Sequence, residues 1–266
     1  MPSPTYVWPS SNICPLCHWF PKHPKHRFCS ITCAQAAAQL APKLIYLSQN
    51  HESSMDVAAQ FLARWRCQCA LYPRLIGIFM ITWTEQSQKA FENYRDKVEA
   101  RGHFEKLGLS AGNEQKRFRC AARACTLGES GNLSPCNNVM CELCETLRYG
   151  FGPHLERKRN IPQHGNGIRL GAGIYTSHTS SKAAQYAMNR HDPDSGVKAM
   201  FVCRAVIGRP YKTKREDPTL EKPPIGYDCV YGKPGWRSQF QDDEYVFYDP
   251  DAIRAAYLVL YYETMA

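Results

Sequence analysis

Apolar positions recur at helical spacing in two early stretches of this chain. Val57, Phe61 and Trp65 share a face behind Ser54, and Phe91, Tyr94 and Val98 share a face behind Thr84. Ser54 and Thr84 are read as N-caps, because a hydroxyl there accepts from a free N–H of the first turn, and Gly102 suits the end of the second helix. Between the helices, residues 74–83 form an apolar run of buried-strand length, far below the ~20 residues of a membrane helix. Residues 199–207, 244–248 and 256–262 alternate or run apolar like strands, Tyr175 ends another, and residues 180–189 predict a short helix carrying Tyr186. The stretch 210–234 holds five prolines and predicts a long irregular segment. Two helices followed by a set of strands predict an α+β domain with a mostly antiparallel split sheet and flanking helices. No internal repeat or heptad is visible.

At 266 residues and 44% hydrophobic composition, the chain suits one domain with a real core plus a small module. Residues 1–13, rich in proline and serine, predict a disordered lead. Residues 14–50 predict a compact Cys/His module, left through Pro42 and the polar run 48–51, and residues 51–266 the main domain. The opening MPSPTYVWPS lacks the charged and apolar regions of a signal peptide, so a cytoplasmic or nuclear protein with no membrane segment is expected. The net charge of +9 suggests an anionic partner such as nucleic acid, RNA included, a nucleotide or an acidic protein. A solvated basic surface is the plainer reading.

Thirteen cysteines without an export signal argue for metal ligation over disulfides. Cys14, Cys17, Cys29 and Cys33 form two short-spaced pairs, enough thiolates for a tetrahedral zinc ion, with His18, His23 and His26 as possible replacements for one sulfur. Reduced, packed thiols are the alternative. So short a module buries little apolar surface, so the metal would be its main source of stability. Its loop, with Lys22, Lys25, His26 and Arg27, suits either nucleic-acid contact or a structural clip. Cys125, Cys136, Cys141 and Cys144 form a second set inside the main domain, read as another closed zinc site of four sulfurs or one completed by His154 or His164. Cys67, Cys69, Cys203 and Cys229 read as packed thiols.

The most informative stretch is 168–186. Gly171-Ala172-Gly173 forms a turn into Ile174-Tyr175, and Tyr186 follows on the next helix, so two rings could flank a flat ligand ring. Upstream lies Asn113-Glu114 with Phe118-Arg119-Cys120-Ala121, and downstream lies Glu244-Tyr245 with Tyr248. In this order the segments resemble the catalytic domain of the poly(ADP-ribose) polymerase-like ADP-ribosyltransferases, whose pattern is N-E-x-x-x-F-H-G-T, then G-x-G-I-Y, then E-Y-x-x-Y. The segment 226–232 resembles the family's D-S-V-x-G strand. The resemblance runs from about residue 54 to 264. It implies the split-sheet fold, NAD as donor, nicotinamide between Tyr175 and Tyr186, and Glu244 as the residue that stabilises charge as the glycosidic bond breaks. It implies Gly173 and the Cys120 backbone as further donor contacts, and a protein or nucleic-acid acceptor. A single transferred unit is the expectation.

The chain departs from the pattern at Arg119-Cys120-Ala121, where the family has His-Gly-Thr, and at Ala183, where the family has a serine. Arginine is longer, always charged and donor-only. Arg119 is read as gripping a phosphate of NAD, or as marking a site for a different anion. Cys120 is read as a small buried residue, with an arginine-activated nucleophile as the alternative. Arg157-Lys158-Arg159, with Arg169 beyond, predict a basic loop that meets a pyrophosphate or an anionic acceptor, or a solvated run. Two further functions stay open: a transferase repurposed on the same fold for an RNA-borne or other anionic substrate, and a non-catalytic nucleic-acid-binding module.

Overall fold

The computed structural model describes residues 12–24, 26–66, 71–160 and 168–265. The expected lead, apart from its last two residues, lies outside these ranges, as do Lys25, Cys67, Cys69 and His164. The elements in order are α1 (Ile31–Gln39), β1 (Leu44–Leu47), α2 (Glu52–Ala63), β2 (Leu71–Ile81), α3 (Glu85–Gly102), β3 (Glu114–Arg119), β4 (Ala122–Arg123), α4 (Glu142–Tyr149), α5 (Gly152–Arg159), β5 (Ile174–Thr176), α6 (Ser180–Ala184), β6 (Met188–Asn189), β7 (Lys198–Val206), β8 (Pro210–Thr213), β9 (Cys229–Gly232), β10 (Glu244–Phe247) and β11 (Ile253–Met265).

Nine of these strands form two sheets. The larger, in order β1-β2-β11-β7-β3, is antiparallel throughout. The smaller, β5-β10-β9-β8, is antiparallel except for the β8/β9 pair. Phe118 at the end of β3 and Ser177 just after β5 exchange backbone hydrogen bonds of 2.8 and 3.0 Å, joining the sheets at one point. The domain is thus α+β with a split, mostly antiparallel sheet.

The larger sheet buries both faces, which is why its central strands read as continuous apolar runs. Alternation along the strands divides the core in two. Phe79, Phe201, Cys203, Leu258 and Leu260 face Leu143 and Leu147 of α4 and Phe151 and Leu155 around α5. Ile78, Met80, Met200, Val202 and Val259 face Val57 and Phe61 of α2 and Ala183 and Ala184 of α6. The helices that carry the candidate site are therefore seated on opposite sides of one sheet.

Several expectations change. The cap of α2 is His51, whose Nδ1 accepts from Ser53 N at 3.1 Å while Nε2 faces the Ile13 carbonyl oxygen at 3.1 Å; Ser54 is buried inside the first turn. Thr84 does cap α3, accepting from Ser87 N. Residues 44–47 fall in the range read as the Cys/His module, yet as β1 they pair with β2. The helix after the glycine turn stops at Ala184, so Tyr186 lies beyond it. The proline-rich stretch 210–234 is not irregular throughout: β8 at its start pairs with β9, and β9, within the segment that resembles a family strand, pairs in turn with β10. The basic run 157–159 is the last turn of α5, not a loop.

Arg27 ties the cysteine module to the main sheet. It is half-buried, donates to the Ile81 carbonyl oxygen at 2.8 Å, and lies over Trp83 and Tyr257. Lys22 reaches Glu52 of α2 at 3.0 Å. Both side chains turn toward the domain.

Candidate active site at the split between the sheets

The glycine turn enters β5 under tight packing. A Cβ on Gly173 would meet Val246 Cγ1 at 2.2 Å, and one on Gly171, at φ +71°, would meet the Leu220 carbonyl oxygen at 1.7 Å. Glycine is required at both positions by close approach. The turn also fixes the Tyr175 hydroxyl, which accepts from Leu170 N and donates to the Gly171 carbonyl oxygen, each at 2.8 Å. Tyr175 is in the middle of β5 and stands opposite Val246 in the antiparallel register. Opposed residues share a face, as do residues two apart, so Tyr175 and Glu244 project on the same side.

They line a cavity of about 320 Å³ at the point where the sheets part, together with Arg119, Cys120, Lys158, Arg169, Lys182, Tyr186 and Asp243. A larger cavity of about 610 Å³ beyond Ala172 contains none of these side chains, and its Arg101 and Asp228 pair with each other at 2.6 Å. The smaller cavity gathers the chemistry.

Glu244 is 6% exposed. Its Oε1 accepts from Arg169 at 3.0 Å, whereas Oε2 is buried without a partner. Burial raises its pKa above the ordinary glutamate value, against the pull of Arg169. Arg169 also binds Glu216 at 2.7 Å and the Gln239 carbonyl oxygen, and lies over the Phe240 ring. A carboxylate so held, with one oxygen free, is preorganised to accept a hydrogen bond from a ligand hydroxyl or to face developing positive charge.

Asp243 has a different task. It accepts from the Ser177 hydroxyl at 3.1 Å, the Thr179 hydroxyl at 2.7 Å and His178 N, pinning the link from β5 to α6. Tyr186, past α6, is 62% exposed and lines the cavity, with Lys182 Nζ over its ring. Cys120 lines the wall, and burial pushes its thiol up to about 12, against the nucleophile reading.

Arg119 is buried, donating to the Tyr175 carbonyl oxygen at 2.6 Å and to His154 Nε2 at 2.7 Å. His154 is therefore not a metal ligand. Burial and the neighbouring Arg119 lower its pKa to about 2, so it is a neutral acceptor. The basic run 157–159 divides three ways: Arg157 grips Glu145, Arg159 donates to the Tyr248 carbonyl oxygen, and Lys158 enters the cavity. Lys158 Nζ lies 4.2 Å from the Tyr175 ring centroid and donates to the Gly173 carbonyl oxygen at 3.2 Å.

Each cysteine set brings four sulfurs within 4.8 Å of one another. The Cys17–Cys29 and Cys29–Cys33 separations are 3.7 and 3.5 Å, and those of Cys125 to Cys141 and Cys144 are 3.7 and 3.5 Å. A tetrahedron with 2.3 Å metal–sulfur bonds has edges of about 3.8 Å, so both sets fit such an ion. Among the described residues, neither set includes a histidine. In the second, Ala124 N and Cys136 N donate to Cys141 and Cys144 sulfurs at 3.3 Å. That set anchors α4, and α4 supports α5 and the side chains α5 sends to the cavity.

Residues 157–263 match the family model described as the poly(ADP-ribose) polymerase catalytic domain. This part of the chain is thus similar to a PARP-like ADP-ribosyltransferase catalytic domain, and the matched span holds the glycine turn, Tyr175, Tyr186 and Glu244 but not Arg119. Among curated proteins, the chain is 30% identical over 129 residues to protein mono-ADP-ribosyltransferase PARP4 of Mus musculus, covering 47% of this chain and 6% of that protein. It is 38% identical over 76 residues to protein mono-ADP-ribosyltransferase PARP3 of Gallus gallus, covering 29% of this chain and 14% of that protein. The chain thus spans only a small part of the relatives it matches. Among the described residues, no helix is long and apolar enough to cross a membrane.

The sequence identified Tyr175, Tyr186, Glu244, Gly173, Arg119 and Cys120 as site candidates, and all but Gly173 line this one cavity, Gly173 supporting it from the turn. It missed the clamp of Arg169 on Glu244 and the tie of Asp243 to residues 177–179. The partners lie more than sixty residues apart in the chain, and no short-range pattern marks them.

Proposed function

We propose that this domain transfers ADP-ribose from NAD, as a single unit, to a protein or nucleic-acid acceptor. The carrying observation is Glu244: buried, held through one oxygen by Arg169, and presenting an unpartnered Oε2 to a cavity shared with Tyr175. Tyr175 and Tyr186 would bracket the nicotinamide ring. Glu244 would accept from the adjoining ribose and stabilise positive charge as nicotinamide leaves, as carboxylates do in glycoside cleavage. Single-unit transfer draws support from the relatives, both named mono-ADP-ribosyltransferases.

Zinc is the ion we assign to both cysteine sets, in closed structural sites whose four protein ligands leave no position for water. The second site would hold α4 beneath α5. Reduced thiol clusters suit the cytosol or nucleus. The +9 charge favours an anionic acceptor, RNA included.

Nicotinamide release from NAD by zinc-replete protein, with Glu244→Gln as control, tests this reading. Release that disappears in the folded variant is expected. A wild-type protein that releases none, or a variant that releases as much, refutes it. Arg119 favours a second reading, in which the same site cleaves a different anionic donor; Glu244-dependent turnover of an alternative donor without turnover of NAD would select it.

A further inference from the structure

The cavity at the split is rich in cations, and most of them are paired. Arg169 holds Glu216 and Glu244, Lys182 lies 3.6 Å from Asp242, and Arg190 lies 3.8 Å from Glu142. Arg119 and Lys158 differ. Among the described residues neither forms an ion pair, although Arg119 is buried and Lys158 half-buried. Arg119 spends two nitrogens on a carbonyl oxygen and a neutral histidine, and its Nε has no partner. Lys158 has a carbonyl oxygen and the face of Tyr175. His154 and Lys158 are four residues apart on α5, so they project from one face of the helix toward Arg119.

Two neighbouring cations withdrawn from solvent, one buried and one half-buried, are costly without counter-ions, and an anion between them removes the cost. Burial, then the nearness of Arg119, lowers the Lys158 amine to about 7, the response of a cation waiting for a counter-charge. We propose that Arg119 and Lys158 form the seat for a phosphate group of the nucleotide donor, with the neutral His154 orienting the guanidinium. The inference rests on the donor reading above. It gives Lys158 a place to go: a flat ring stacked on Tyr175 from the cavity side requires the ammonium to leave that ring. The phosphate chemistry has two possible sources, the pyrophosphate bridge of the donor or a further phosphate on its ribose.

Equilibrium binding of ADP-ribose and of ADP-ribose 2′-phosphate tests the seat without the nicotinamide ring, so that clearing Tyr175 does not confound the result. A hydrogen bond to a charged group contributes enough for Arg119→Gln and Lys158→Gln each to weaken binding about ten- to a hundredfold. Lys158→Arg should restore most of the loss. Equal weakening of both ligands supports the pyrophosphate as occupant, and weakening confined to the 2′-phosphorylated ligand supports the ribose phosphate. Should Arg119→Gln fail to fold, Lys158→Gln, at the end of a short helix, decides alone. Unchanged binding in a folded variant overturns the seat, even where the wild type releases nicotinamide in a Glu244-dependent way. A wild type that neither binds these ligands nor releases nicotinamide overturns the donor reading itself.

Discussion

Asp243 precedes the glutamate expected to do the chemistry, yet its role is in the framework. Its Oδ1 accepts from the Ser177 and Thr179 hydroxyls and its Oδ2 from His178 N. Thr179 N in turn donates to the Ser177 hydroxyl at 2.9 Å. Asp243→Ala leaves a backbone N–H and two hydroxyls without this acceptor in a part of the fold where Ser177 and Asp243 are both buried. At about 1–3 kcal/mol for an unsatisfied buried group, with the hydroxyls partly able to turn elsewhere, the loss is about 3–5 kcal/mol. Asp243→Asn behaves differently. The amide oxygen can take the His178 N–H, and the amide nitrogen can donate to both hydroxyls, which also accept. Only charge assistance is lost, about 1 kcal/mol. For a domain of this size each kcal/mol moves Tm by about 2–4 °C, so the alanine variant should melt roughly 6–20 °C below the wild type and the asparagine variant within about 5 °C. Thermal unfolding by circular dichroism measures both. Because this link joins Tyr175 to α6 and Tyr186, the alanine variant should also raise the donor KM. Equal melting temperatures for the two variants would refute the reasoning, since only hydrogen-bond capacity distinguishes them.

Gly173→Ala should strip activity and destabilise the domain by about 1–3 kcal/mol, as overpacking does, because the added methyl enters the space of Val246; a variant as stable as the wild type in urea titrations contradicts the packing. Glu244→Gln should be as stable as the wild type, or more stable, at neutral pH. The folded-state pKa of Glu244 is raised, so its contribution to stability is present below the ordinary glutamate pKa and lost as pH rises through the folded value; the advantage of the glutamine should therefore shrink toward pH ~4, and a Tm difference that grows on acidification would contradict this sign. Cys144→Ser, or chelation, should release zinc and lower Tm, with α5 and its Lys158 losing protection in hydrogen exchange before the larger sheet; metal analysis that finds no zinc in wild-type protein purified without chelators would refute the assignment.

The local chemistry of this chain was legible in its sequence. Cysteine pairs at short spacing, Thr84 before an apolar stripe, and a glycine turn running into Ile174-Tyr175 each declare themselves within a few residues, because cap, ligand and turn geometry depend on near neighbours. The order of the segments was enough to suggest the fold, since two buried faces of one sheet demand apolar strands of the observed length. Helix ends were less legible: the ring of His51 reached the cap position that Ser54 was expected to fill, and α6 stopped before Tyr186. The strand β8 was hidden by the prolines around it, because a strand's stability lies in its partner. The cavity itself belongs to the tertiary structure alone. Only folding brings Arg169 to Glu244, turns His154 from a potential sulfur-cluster ligand into the partner of Arg119, and separates three consecutive basic residues so that Lys158 alone enters the site. Charge, burial and hydrogen-bond capacity are properties of such gathered groups, and a linear pattern does not hold the distances that create them.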